Sequence, residues 1–231
     1  MKIDLKTILN YLLKIAIVFG LFILSQVSMT VFSVFKLISV DNQQASLSTA
    51  SSVVVLLLTL GLIILLVWLA TKLKIITLDF EWSTVSNWGI IALSFILGRI
   101  VAFLGTLLIQ LTSGSATSTN DAAIDNIISG EQPWLIFLII AIAPAIMEEI
   151  VFRGGIIGFI FEEHPVVGLI ISSAIFGYLH SATTIFEFIL YFSLGFIMGF
   201  SYYKTKRLEV SIMVHFLNNG LAVLAMFLLQ S

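Results

Sequence analysis

The chain has 231 residues, 59% of them hydrophobic and only 10% charged, with a mean hydropathy of +1.13, a composition that excludes a soluble globular domain and fits an integral membrane protein. It contains no cysteine, which excludes disulfides, thiolate metal sites, iron–sulfur clusters and cysteine nucleophiles. The net charge of −2, with eleven basic residues spread in small groups, leaves no footprint of a nucleic-acid partner.

The first segment, "MKIDLKTILNYLLKIAIVFG", starts basic and turns apolar as a signal peptide does, but it runs long and has no small-residue cleavage site. It is read as a retained first span. A crossing helix takes about 20 apolar residues, and by that measure spans fall near 12–35, 52–70, 88–112, 134–160, 166–182, 185–203 and 209–229. The expected fold is an all-α polytopic helix bundle of about seven transmembrane helices, six and eight being the neighbouring counts. The fifth and sixth spans nearly touch in sequence and predict a tight antiparallel hairpin. The Ser/Thr-rich stretches at 46–52 and 112–119 read as loops, and no soluble domain or internal repeat stands out.

Lysine and arginine set the expected direction. With the N-terminus inside, inner segments hold Lys2, Lys6, Lys14, Lys72, Lys74, Lys204, Lys206 and Arg207, and outer segments hold only Lys36, the asymmetry of a cytosolic N-terminus and an extracytosolic C-terminus. The largest outer loop, "TSGSATSTNDAAIDNIISGEQP", has no basic residue.

An ionisable group at the centre of a membrane helix costs roughly 2.5 to 3.5 kcal/mol, so each needs a partner, a wet cavity or a task. The candidates are Arg99, Glu148, Glu149, Arg153, His180 and His215, with Asn219 beside them. In "MEEIVFR" Glu149 and Arg153 are four apart in the favourable acid-first order and can neutralise each other, while Glu148 points about 100° away. Pro144 cannot donate to the carbonyl of Ile140, which predicts a kink or an opening beside Glu148. "FGYLH" sets Phe176 one turn before His180 as an aromatic wall, and "HFLNN" sets His215 one turn before Asn219. Glycines at 154 and 158, and at 195 and 199, allow close helix approach. Taken singly, each polar residue is as well read as an interhelical tie; Arg99 is read as structural, paired with Glu148, Glu149 or a carbonyl, and His164 as a loop residue.

A free carboxylate, two imidazoles and a carboxamide in one cavity suit water activation and carbonyl attack, with N–H groups on the oxyanion. Glu plus two His is also a zinc ligand set, although no His-Glu-x-x-His helix occurs. No Gly-x-Ser-x-Gly elbow or glycine-x-glycine-aspartate motif is present either, against serine and aspartyl membrane proteases.

At Glu-Glu-x-x-x-Arg (148–153), Phe-x-x-x-His (176–180) and His-x-x-x-Asn (215–219), over roughly residues 140–225, the chain resembles the CPBP intramembrane proteases, which include CAAX prenyl proteases and bacteriocin-processing and immunity (Abi) proteins. The resemblance implies a helical membrane fold with its site in a cavity below the cytosolic surface. It implies that Glu148 and His180 activate water, that His215 and Asn219 stabilise the oxyanion, and that Glu149 and Arg153 support the site. Asn218 also lies near His215, but the family spacing selects Asn219. One membrane domain is expected, residues 1–130 giving about three helices ahead of a CPBP-like core at 131–231. No cofactor is required on this reading, zinc held by Glu148, His180 and His215 being the alternative.

The expected function is endoproteolysis of a membrane-associated peptide or protein, such as a peptide pheromone, a bacteriocin or a CAAX-like substrate, in the bacterial plasma membrane. The alternatives are a non-enzymatic immunity or scaffold protein and, last, a proton-coupled transporter. One expectation conflicts with the rest: counting along the spans puts Glu148 and His215 within about 10 Å of the inner face and His180 roughly 20 Å from it.

Overall fold

The computed structural model describes residues 4–230, with side chains to residue 228; Lys2 lies outside them. Polar caps start the helices. Asp4 accepts from the Thr7 N–H ahead of α1 (Leu5–Asp41), Ser48 from Ser51 ahead of α2 (Thr49–Lys72), and Thr84 from Asn87 ahead of α3 (Val85–Ser113). Each cap satisfies a backbone donor that the first helical turn leaves open. Ser118 does the same for a short helix, α4 (Thr119–Ile128), inside the segment expected to be loop. The Ser/Thr-rich stretches are thus only partly loops, because their hydroxyls cap helices that begin within them.

Next comes α5 (Pro133–Ile160), then α6 (Pro165–Leu179), α7 (Ile185–Thr205) and α8 (Leu208–Gln230). Thr184 and Glu187 form a capping box at the start of α7. The fold is an all-helical membrane bundle: among the described residues six helices are long and apolar enough to cross a bilayer, and α6, with 15 residues, is a shorter apolar helix. The predicted hairpin is the α6–α7 pair.

Helix α5 is the centre. Of its most apolar window 72% is buried, against 17% for α3. It packs on α1, α6 and α8, while α3 packs on α7 and α8. It is also irregular: residues 137–142 and 150–160 wind as π-helix around an α-helical segment, Ala143–Glu149. Pro144 removes one N–H from the ladder, and the widened turn before it accommodates that loss. Gly154 and Gly158 admit Ile76 and Tyr202 against α5, and Gly195 and Gly199 of α7 admit Phe176 and Leu169 of α6.

Charged residues outside the core gather at two ends. At one, Lys14 pairs with Glu162 at 2.6 Å and Arg207 with Asp79 at 2.6 Å and Glu81 at 3.3 Å; Lys72, Lys74, Lys204 and Lys206 belong to this lysine-rich end. At the other, the α4 end, Lys36 is buried. Its ammonium donates to the carbonyls of Ala45 (2.8 Å) and Ser129 (2.6 Å) and to Glu131 Oε1 (2.8 Å). Both Glu131 oxygens also accept from the Leu47 N–H. Gly130 closes this knot at φ +79°, where a Cβ would come within 2.6 Å of the Ala45 carbonyl oxygen.

Candidate active site

Glu149 ends the α-helical segment of α5 and is fully buried, as is Arg153. Arg153 Nε stands 3.1 Å from Glu149 Oε2, an ion pair whose angle falls short of a hydrogen bond. The guanidinium donates from Nη2 to the Gly195 carbonyl of α7 at 2.8 Å and lies 5.0 Å from the Phe176 ring centroid, a cation–π arrangement. The predicted neutralisation is present, anchored from α7.

His215 on α8 joins this pair. Its Nδ1 is 2.9 Å from Glu149 Oε1 and its Nε2 is 3.2 Å from Asn219 Nδ2. Asn219 Nδ2 also donates to the Ile140 carbonyl at 2.9 Å, the acceptor that Pro144 leaves without its helical donor. A carbonyl can only accept, so the amide nitrogen faces Ile140; its second hydrogen then goes to His215 Nε2, and His215 carries its proton on Nδ1, toward Glu149. Helix spacing found the His215–Asn219 pair; the link from His215 to Glu149 depends on tertiary packing.

His180 caps the C-terminus of α6. Its Nδ1 is 2.7 Å from the Phe176 carbonyl oxygen, which only accepts, so the proton sits on Nδ1 and Nε2 is left with a lone pair. The ring lies between Phe176, at 4.1 Å between centroids, and Tyr191, at 4.8 Å and nearly parallel. The Tyr191 hydroxyl in turn bonds Ser118 and Asp121 of the α4 region. Phe176 is the expected wall; Tyr191 is the residue that sequence reasoning missed, since nothing in "FILYFSLGF" sets it apart from its aromatic neighbours.

The depth conflict disappears. Ser172 of α6 donates to the Phe152 carbonyl at 2.9 Å, and the Phe152 and Phe176 rings meet at 5.2 Å. The antiparallel run of α6 along α5 therefore carries Phe176 and His180 to the level of the turn holding Glu148. Glu148 is not close to the lysine-rich face: Ile160 lies twelve positions further along α5. The error was in the estimated depth of Glu148.

Glu148, His180, His215 and Asn219 line one cavity of about 680 Å³. Glu148 Oε2 is buried in it without a hydrogen-bond partner, and Glu148 makes no hydrogen bond or ion pair among the described residues. Arg99 also lines the cavity, and its partner is a side-chain carbonyl rather than either glutamate: Nε donates to Asn218 Oδ1 at 3.0 Å, and Asn218 Nδ2 donates to the Val214 carbonyl at 2.8 Å. Gly98 makes room for this, since a Cβ there would meet the Asn218 amide at 2.7 Å. Among the described residues no three His, Asp or Glu side chains are gathered to hold a metal ion. Glu148, His180 and His215 do not form a ligand set in this geometry, in which both ring nitrogens of His215 have other partners. His164, read as a loop residue, precedes Pro165 away from the cavity.

The cavity draws on residues 22–29, 98–106, 117–125, 139–152, 176–180, 190–198 and 215–226, the parts of the helices toward the α4 end. A carboxylate and an imidazole lone pair thus line one cavity, with Glu149, Arg153 and His215 in mutual contact beside it.

Comparison with known proteins adds independent findings. Residues 130–221 match the family Type II CAAX prenyl endopeptidase Rce1-like. The chain is 37% identical over 126 residues to the membrane-embedded CAAX protease MroQ of Staphylococcus aureus, covering 51% of this chain and 49% of that one. It is 26% identical over 199 residues to the UPF0177 protein YvdC of Lactococcus lactis, covering 86% and 73%, and 36% identical over 109 residues to YdiL of Bacillus subtilis, covering 46% and 43%. The chain thus spans about half the length of MroQ and less than half that of YdiL. No solved structure matches.

Proposed function

We propose, from this chain's membership of the CPBP family through its Rce1-like stretch at residues 130–221, that it is an intramembrane endopeptidase acting on a membrane-associated peptide or protein. One observation carries the reading. Glu148 has a buried oxygen with no partner, and no hydrogen bond or ion pair among the described residues, in a cavity it shares with His180, while its neighbour Glu149 is paired with Arg153 and bonded to His215. A structural role needs the second carboxylate only; the first is kept at the cost of an unsatisfied group.

In the proposed reaction a water between Glu148 and His180 Nε2 gives its proton to the carboxylate as its oxygen bonds to the peptide carbonyl carbon. The oxyanion takes the Asn219 amide hydrogen now given to His215 Nε2, the longer of that amide's two contacts; His215, with its lone pair on Nε2 and its Nδ1 hydrogen toward Glu149, positions Asn219 instead of donating to the oxyanion as the family resemblance implies. The C–N bond then breaks and the departing amine takes the proton from Glu148. Phe176 and Tyr191 fix the imidazole, and Glu149 with Arg153 fixes His215. The substrate reading includes peptide pheromones, bacteriocins and CAAX-like proteins. The alternative mechanism, a zinc-bound water, needs Glu148, His180 and His215 to regroup around the ion.

The test is cleavage of a membrane-peptide library by the purified chain in lipid, with and without a strong zinc chelator. Cleavage that persists with chelator supports the carboxylate mechanism, and chelator-sensitive cleavage transfers the reading to zinc. Absence of cleavage in every sample favours the non-enzymatic immunity or scaffold protein.

A further inference from the structure

The side of the membrane from which the cavity is reached can be read by setting its walls against the charge asymmetry. The segments carrying the lysine-rich end, residues 5–14, 72–90, 156–170 and 199–210, contribute nothing to the cavity lining. Below the site toward that end lies packed apolar core, including Leu66, Ile76, Ile91, Ile150 and Val210. Ile76 fills the space against Gly154, where a Cβ would meet it at 2.6 Å.

Toward the other end the lining climbs through Thr106 of α3 and Tyr191 of α7 to Thr117 and Asp121, and Thr117 is exposed. That end belongs to the segment 112–133, which has no basic residue. Its one nearby lysine, Lys36, is sequestered by Glu131 and two carbonyls, so it does not weaken the asymmetry. A bundle oriented by its lysines and arginines keeps the lysine-rich end in the cytosol.

We infer that the cavity opens on the extracytosolic side, so that the substrate is a peptide segment lying in, or emerging from, the outer half of the bilayer. This differs from the cytosolic placement that the family resemblance implies. The substrate clause rests on the peptidase reading; the access clause does not.

The absence of cysteine makes single-cysteine labelling of the full chain direct. Thr106→Cys and Ala222→Cys place a thiol in the cavity wall, Ala123→Cys on the exposed face of α4 and Lys72→Cys at the lysine-rich end. Intact cells and everted membrane vesicles are treated with a membrane-impermeant maleimide. The expected result is labelling of Ala123→Cys and both cavity variants in intact cells, and of Lys72→Cys in everted vesicles only. Two independent cavity positions guard against one variant failing to fold. The inference is overturned if the cavity thiols react only in everted vesicles, if they react from neither side, or if Ala123→Cys reacts only in everted vesicles. The readout needs no proteolysis, so its failure leaves the peptidase reading intact, and an inactive protein leaves the labelling pattern intact.

Discussion

Two buried ion pairs, one at the α4 end and one in the core, use the same chemistry with different surroundings. Lys36 and Glu131 spend their capacity on each other and on the backbone of Ala45, Leu47 and Ser129, tying α1 to the chain ahead of α2 and α5. Glu149 and Arg153 are as deeply buried, but beside them stand a carboxylate with no partner and an imidazole whose Nε2 lone pair is open. The first pair is a tie between chain segments, whereas the second stands against a cavity lined by an unpaired carboxylate.

The largest effect is expected from breaking the core cluster on one side. Glu149→Leu leaves Arg153 buried without its counter-charge and removes the acceptor of His215, a loss of about 3–5 kcal/mol, read as a lower unfolding temperature in detergent together with lost cleavage. Lys36→Met should cost less, about 2–3 kcal/mol, because Glu131 keeps the Leu47 N–H after losing its ammonium. Its folded fraction should cleave at the wild-type rate, which is the sharpest contrast between the two clusters.

The smallest effect concerns a titration at the α4 end. Burial, and then the charge of Asp121, raise the Asp125 carboxyl above its ordinary 3.8. A raised carboxyl favours the fold fully below the unfolded value and loses that contribution as pH rises through the folded value. Asp125→Asn should therefore raise the unfolding temperature slightly at pH 7, with the gain gone below about pH 3.8.

Periodicity made the local pairs legible. Glu149 with Arg153, Phe176 with His180, and His215 with Asn219 are each four residues apart, and each pair is in contact. Long apolar runs likewise gave the helical spans, because crossing hydrocarbon forces every backbone group into internal hydrogen bonds. What spacing could not carry was contact between helices. The Glu149–His215 bond joins residues 66 apart, and Arg99 meets Asn218 across 119 residues. The π-helical turns were hidden for another reason. Pro144 announced a lost hydrogen bond, but the sequence did not say whether a kink, a water or a side chain would compensate, and the answer, Asn219, came from α8.

On the proposed mechanism the two adjacent glutamates divide chemistry from support, a division tested by comparing Glu148→Gln with Glu149→Gln for both cleavage of a membrane peptide and unfolding temperature. Glu148→Gln is expected to abolish cleavage while unfolding at the wild-type temperature or above, and Glu149→Gln to lower the unfolding temperature. Wild-type cleavage by Glu148→Gln, or a loss of stability as large as that of Glu149→Gln, would contradict it.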